Sequence, residues 1–163
     1  MSIVLFRVDE RLIHGQVLVG WGTQLRPDAI VVVDDALASS EWEQELYTLG
    51  LPIELETRFE PVESARSLLE QFRSDPKRYF LLTRDVASMR RLSEGRRLAG
   101  EEINIGGLHH GNGRRQRLPY VFLSDAEVRD LAAIAREGAT VIARDLPGSR
   151  RVSLEELVRG DTE

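Results

Sequence analysis

The run Arg7-Val8-Asp9-Glu10-Arg11-Leu12-Ile13-His14-Gly15-Gln16-Val17 concentrates reactive side chains within eleven positions. It holds two arginines, two acids, one histidine and one glycine. A neutral imidazole is a nucleophile that can hold a phosphoryl group covalently and then release it. With a reference pKa of ~6.5, His14 is largely neutral at pH 7, and neighbouring cations favour that form further. Once phosphorylated, such a ring carries a group of roughly −2 charge. Arg11, three residues back, could pair with that group through its planar fork. One unit pair at ~4 Å and an effective dielectric of ~20 is worth about 4 kcal/mol before desolvation. A helix starting after Gly15 adds its free N–H groups and dipole, at roughly 0.3–1 kcal/mol, so the arginine outweighs it. Asp9 could orient Arg11 or the imidazole. Gly15 leaves no Cβ between backbone and phosphate. The bland reading of His14 is a loop or capping histidine among salt-bridged charges.

The elements around this run must present it. Ile3-Val4-Leu5-Phe6 before it reads as a short buried strand. Gln16 to Leu25 reads as a helix packed on a sheet, closed by Arg26-Pro27. The loop thus sits at the carboxyl end of a first strand, the edge where open α/β sheets bind ligands. Further strands are expected at Ala29–Val33, Ile53–Glu56, Tyr79–Leu82, Glu102–Ile105, Tyr120–Leu123 and Ala139–Ala143. Helices are expected after the N-caps Ser40, Ser124 and Ser153, each with a glutamate at capping-box spacing, after Pro61, and over Val86–Glu94. The alternation argues for a single α/β domain: an open, mostly parallel sheet of about six to seven strands with helices on both faces.

Other strand ends carry candidates. Asp34-Asp35 could hold an arginine or line an anion site, or serve as a turn with a helix N-terminal charge. After the fourth strand, Arg84 offers a second cation and Thr83 a hydroxyl, or Thr83 and Asp85 act as caps. Gly106-Gly107 could aim backbone N–H groups at an anion or form a plain tight turn. His109-His110 are a weak metal signal without a well-spaced third ligand, and a polar loop touching a partner or the phosphate is the expected role. Arg90, Arg91, Arg96 and Arg97 form a basic patch that could dock an acidic partner or simply be solvated. Arg114, Arg115 and Arg117 form another. Trp42 is expected to be packing.

The bulk properties bound the function classes. The 163 residues fit one domain, with 42% hydrophobic and 30% charged residues. A net charge of −5 argues against non-specific nucleic-acid binding. Zero cysteines exclude disulfides and thiolate metal sites. No apolar run reaches the ~20 residues of a membrane helix, and the start lacks a basic n-region. A cytoplasmic protein is the expectation. Neither a G-x-x-x-x-G-K-[ST] nor a G-x-G-x-x-G nucleotide motif is present.

The loop resembles the phosphorylation-site motif R-x-D-x-R-L-I-H-G-Q-V of the IIB component of the mannose/fructose/sorbose class of bacterial phosphotransferase systems. The match falls on Arg7, Asp9, Arg11, Leu12, Ile13, His14, Gly15, Gln16 and Val17. It continues through Val31-Val32-Val33-Asp34-Asp35, Glu102-Ile103-Asn104-Ile105-Gly106-Gly107 and Val152-Ser153-Leu154-Glu155-Glu156-Leu157, nearly the whole chain in order. The resemblance implies a phosphoryl-carrier domain over 1–163. His14 would accept phosphate, on Nδ1, from a IIA protein and pass it to a sugar held by membrane IIC and IID components. Arg11 and Asp9 are then the chief site residues, and Arg7, Gly15, Gln16, Asp34, Arg84, Gly106 and Gly107 line the phosphate. No metal or cofactor is required. A separate IIA protein is expected, since no IIA-like segment precedes the loop, and a homo-oligomer is open. A regulatory phosphohistidine module without sugar transport would keep the same motif.

Overall fold

A computed structural model describes residues 2–159. Met1 and 160–163, the ends of the expected 1–163 domain, lie outside the described residues. Strands β1 (Ile3–Val8), β2 (Ala29–Val33), β3 (Glu56–Glu60), β4 (Tyr79–Thr83), β5 (Glu102–Ile105), β8 (Thr140–Ala143) and β9 (Val152–Ser153) form a seven-stranded sheet, ordered β3-β2-β4-β1-β5-β8-β9. All neighbours run parallel except the short edge pair β8–β9. Strand β1 is central. The chain leaves it toward β2 on one side and later places β5 and β8 on the other, so the order reverses around the end of β1.

Both faces of the sheet are covered, which is why its central strands are apolar throughout rather than alternating. All five residues of β2 are buried. Val31 and Val33 face α4 (Val62–Ser74), α5 (Val86–Ser93), α6 (Asp125–Arg136) and α7 (Leu154–Val158), which bury Leu69, Phe72, Met89, Leu92, Leu131, Ile134 and Leu157 there. Ile30 and Val32 face the other layer. That layer comprises the segment Gln16–Trp21, α1 (Gly22–Leu25), α2 (Asp35–Ala38) and α3 (Glu41–Thr48). Each fully buried Leu, Val or Phe contributes roughly 1.5–3 kcal/mol.

Three sequence expectations change. The third strand begins at Glu56, because Leu55 N–H closes a turn on Pro52 O at 3.1 Å and leaves Ile53 fully exposed. The strand forms only where Glu56–Glu60 can pair with β2, at the sheet edge its acids suggested. The expected sixth strand, β7 (Val121–Ser124), is not in the main sheet. It pairs antiparallel with β6 (Arg114–Leu118) in a separate hairpin. Strand β6 was invisible because Arg114-Arg115-Gln116-Arg117 has no apolar alternation. The first helix, finally, is wound as a π-helix over Gln16–Trp21 before α1, a winding concentrated at functional sites. Among the caps, Ser124 forms the full capping box with Glu127 and Ser153 accepts from Glu156 N, whereas the Ser40 side chain makes no capping bond.

Tyr79 ties the start of β4 to the preceding turn, its hydroxyl donating to Asp75 Oδ2 at 2.7 Å. Burial first, and the Asp75 carboxylate second, push this phenol up to about 12. Because the folded value exceeds the unfolded one of roughly 10, its contribution is complete below pH ~10 and is lost as pH rises through the folded value. Urea unfolding between pH 8 and 11.5 should show stability falling above pH ~10. Tyr79→Phe should remove that fall while costing about 1 kcal/mol at neutral pH.

Candidate functional site

The site is built around Asp9, the first residue past β1. Its side chain is fully buried, and four neighbours converge on the carboxylate. Oδ1 accepts from Arg11 N–H at 3.0 Å, and Oδ2 accepts from Gly107 N–H at 3.1 Å. Arg7 Nη2 lies 3.4 Å from Oδ2 and His14 Nε2 3.2 Å from it. Burial, the largest influence, pushes the Asp9 carboxyl up. The His14 contact, the Arg11 N–H and the Arg7 charge together outweigh it and hold the group well below the usual carboxylate range. Asp9 is therefore an anion at any physiological pH.

Asp9 also shapes the loop. Leu12 N–H donates to Asp9 O at 3.0 Å, closing a turn that leaves Leu12 in the left-handed region with φ 54°. A branched residue there is strained by about 1 kcal/mol or more. Full burial of Leu12 beside Ile13, Val17 and Leu82 holds it. The turn points His14 outward from that anchor. His14 is about 15% exposed and sits at the mouth of the loop. Its buried Nε2 contacts Asp9 off the line of a full hydrogen bond. A carboxylate only accepts, so it assigns the ring proton to Nε2 and leaves the lone pair on Nδ1.

Arg11 approaches the same carboxylate as the ring. Its Nη2 donates to Gln16 Oε1 at 2.7 Å, its Nε lies 3.5 Å from Asp9 Oδ1, and it remains 40% exposed. Asp9 and Gln16 thus aim the guanidinium without burying it. Gly15 is exposed, with nothing within 4 Å of where a Cβ would stand. Its smallness keeps the approach to His14 open rather than relieving a packed contact.

Several expected lining residues do other work. Arg7 does not face the phosphate position: it is fully buried beneath Asp9. Its Nη1 donates to Asn104 Oδ1 at 2.6 Å and Arg144 O at 2.8 Å, and its Nη2 to Asp145 O at 3.1 Å. The guanidinium lies 5.3 Å from the Trp21 ring centre. Burial pushes its pKa down, and the Asp9 and Asp145 charges push back. Gly106 and Gly107 do not offer an anion cradle either, because Gly106 N–H is spent on Val8 O at 2.7 Å and Gly107 N–H on Asp9. Neither has positive φ. They are glycines for space. A Cβ on Gly106 would fall 2.4 Å from Arg7 Nη2, and one on Gly107 3.2 Å from Arg11 Nη2.

Asp34 caps α2, accepting from Leu37 N–H at 2.9 Å, and stands 4.0 Å from Arg84 Nε, too far for a hydrogen bond. Arg84 follows Thr83, which is paired in register with Val8, so it stands at the same sheet edge as Asp9. The Thr83 hydroxyl donates to Asp85 O, and Asp85 caps α5. Asp35 is structural, receiving Val62 N–H and Arg91. The Arg90 and Arg91 patch is tied down by Asp130, Asp35 and Glu63. Trp42 is not packing: it is 65% exposed. Sequence reasoning missed Asn104 and gave Glu10 no role. Asn104 had a signal, since it was the one amide, set between the two isoleucines of β5.

A seven-stranded α/β domain with one histidine aimed out of the first strand–helix loop, backed by a buried acid and flanked by an arginine, is the architecture of a sugar-phosphotransferase component. The sequence profile described as "PTS system sorbose subfamily IIB component" matches residues 3–163, and the chain belongs to that family. It is 30% identical over 158 residues to the N-acetylgalactosamine-specific phosphotransferase enzyme IIB component 1 of Escherichia coli (strain K12), covering 95% of this chain and 98% of that one. The crystal structure of manxB from Thermoanaerobacter tengcongensis superposes with a TM-score of 0.84 at 30% identity, over 96% of this chain and 95% of that one. The IIBSor domain of the sorbose permease from Klebsiella pneumoniae shares the fold, with a TM-score of 0.85 at 21% identity and 98% coverage of both chains. Among the described residues no helix is long and apolar enough to cross a membrane.

Two substitutions test this construction. Asp9→Ala leaves Arg7 buried without its carboxylate and should cost about 3–5 kcal/mol in urea unfolding. Because the folded pKa of Asp9 is depressed, its contribution is present above the unfolded value of roughly 4 and is lost as pH falls below it. The difference between parent and Asp9→Ala should therefore shrink in acid. Gly106→Ala must displace the Arg7 guanidinium and should cost roughly 1–3 kcal/mol.

Proposed function

We propose that this chain is a phosphoryl carrier that accepts phosphate on His14 Nδ1 from a IIA protein. It then donates the group to a sugar presented by membrane IIC and IID components. The observation that carries the reading is the Asp9–His14 contact, which holds the proton on Nε2 and leaves the Nδ1 lone pair for attack. The bond from phosphorus to the donor imidazole breaks as the bond to Nδ1 forms, and no proton has to leave His14. In the second step a sugar hydroxyl takes the phosphoryl group, its proton is released, and His14 returns to the neutral ring. Arg11, steered by Gln16 and Asp9, stabilises the transferring charge, and the chemistry is mainly positioning and electrostatics. The transfer as written requires no metal.

Both partners must reach His14 over the same edge of the sheet. Beside Arg84 that edge has a hollow lined by Trp42, Glu43, Leu46 and Tyr47. Trp42 and Leu46 are 65% and 62% exposed, and exposed aromatic anchors next to a reactive centre suit a transient protein interface. The domain works at the cytoplasmic face of the membrane, docked rather than inserted.

Incubation with phosphoenolpyruvate, the two general phosphotransferase proteins and a cognate IIA should add one phosphoryl mass to the parent chain and none to His14→Ala. Arg11→Ala should slow the transfer by roughly 10²- to 10³-fold with the fold intact. No added mass on the parent, with IIA shown to be phosphorylated, would refute the carrier reading. Sugar-dependent loss of the label in membranes holding IIC and IID separates transport from a regulatory role.

A further inference from the structure

His109 lies in the loop after β5, two residues beyond Gly107, and is held there from the His14 loop. Glu10, the neighbour of Asp9 in the His14 loop, grips it twice. Glu10 Oε2 accepts from His109 N–H at 3.2 Å and stands 3.0 Å from His109 Nδ1. Glu10 is itself fixed by an ion pair with Arg114. Arg114 makes a two-pronged pair with Glu127 in the first turn of α6, at 2.9 and 2.7 Å, and donates to His109 O at 2.8 Å. A chain of charges therefore runs from α6 through β6 to the phosphorylation loop and ends on this ring.

The ring's free nitrogen faces the site. With Nδ1 against the Glu10 carboxylate, Nε2 points toward Gly107. The point where a Gly107 Cβ would stand is 3.5 Å from His109 Nε2, 3.2 Å from Arg11 Nη2 and 3.5 Å from Asp9 Oδ1. The two basic nitrogens are thus no more than about 7 Å apart, a gap that phosphoryl oxygens can bridge. The side chain is 54% exposed, so solvent reaches it.

We propose that His109 is a second phosphoryl-binding residue. Its Nε2 takes one proton from solvent when His14 is phosphorylated and donates it in a hydrogen bond to a phosphoryl oxygen, across from Arg11. The step forms an N–H bond on the imidazole and breaks none in the protein. Glu10 is the positioning residue that turns the ring. The charged groups around it are Glu10, Asp9, Arg11 and Arg114, the last shared with Glu127. A group of roughly −2 charge beside the ring favours the imidazolium. The proposal rests on His14 being the acceptor.

The test is an imidazole ¹⁵N NMR titration of the full chain, free and phosphorylated, with intact mass read in parallel. The His109 midpoint should rise by one pH unit or more on phosphorylation. His110, stacked edge-on to Phe122, should stay within about 0.2 unit and serves as the internal reference. His109→Ala should lower the maximal phosphotransfer rate roughly ten- to a hundredfold, with KM for the donor within twofold and the unfolding midpoint unchanged. Added mass with an unmoved His109 midpoint would overturn this assignment alone. No added mass on the parent would overturn the His14 reading and this one together.

Discussion

One buried carboxylate organises the reactive end of the molecule. Asp9 has lost its water and is held as an anion by two backbone N–H groups and the basic side chains of Arg7 and His14. A lone carboxylate so placed would be costly, and the neighbours that compensate it define the site. Arg11 N–H sets the turn, Gly107 N–H joins the loop after β5 to the loop after β1, and His14 receives its tautomer. Arg7, locked to carbonyls of the segment after β8, extends the same network across three strands. His14 owes its orientation to contacts from loops almost a hundred residues apart.

The sheet topology makes this convergence possible. In a parallel sheet every strand ends at the same edge, so the ends of β2, β4, β1 and β5 bring Asp34, Arg84, Asp9 and Gly106 into one row. Placing β1 centrally gives its loop neighbours on both sides. Leu12 drives an apolar anchor into one layer of the core while His14 two residues later remains reachable, and the left-handed turn between them is tolerated because the burial of Leu12 outweighs its strain.

The surface divides by what the charges do. Several arginines that look like a patch along the chain are paired with acids from other elements, as with Arg90 on Asp130, Arg91 on Asp35 and Arg114 on Glu10 and Glu127. Arg11 differs in its partners: it donates to Gln16 Oε1 and lies 3.5 Å from the buried Asp9 carboxylate, both within the His14 loop. Among the exposed apolar side chains, Trp42 and Leu46 stand next to Arg84.

The alternating strands and helices, the central β1 loop and its family were legible in the sequence, because they rest on local periodicity and on one contiguous motif. Periodicity survives in one dimension, so β2, β4, β5 and the Ser124 capping box were readable residue by residue. Tertiary structure alone decided what depends on partners distant in the chain. It moved Arg7 from the phosphate position to the interior, since only the approach of Asn104 and of the Arg144 and Asp145 carbonyls gives a buried guanidinium its acceptors. It turned Gly106 and Gly107 from anion donors into clearance for two arginines, because their N–H groups were claimed by β1 and Asp9. It separated the β6–β7 hairpin from the sheet and brought Glu10 to His109. Hydrogen bonds and ion pairs act over a few ångströms of space whatever the separation along the chain, so no reading of neighbours in sequence can assign them.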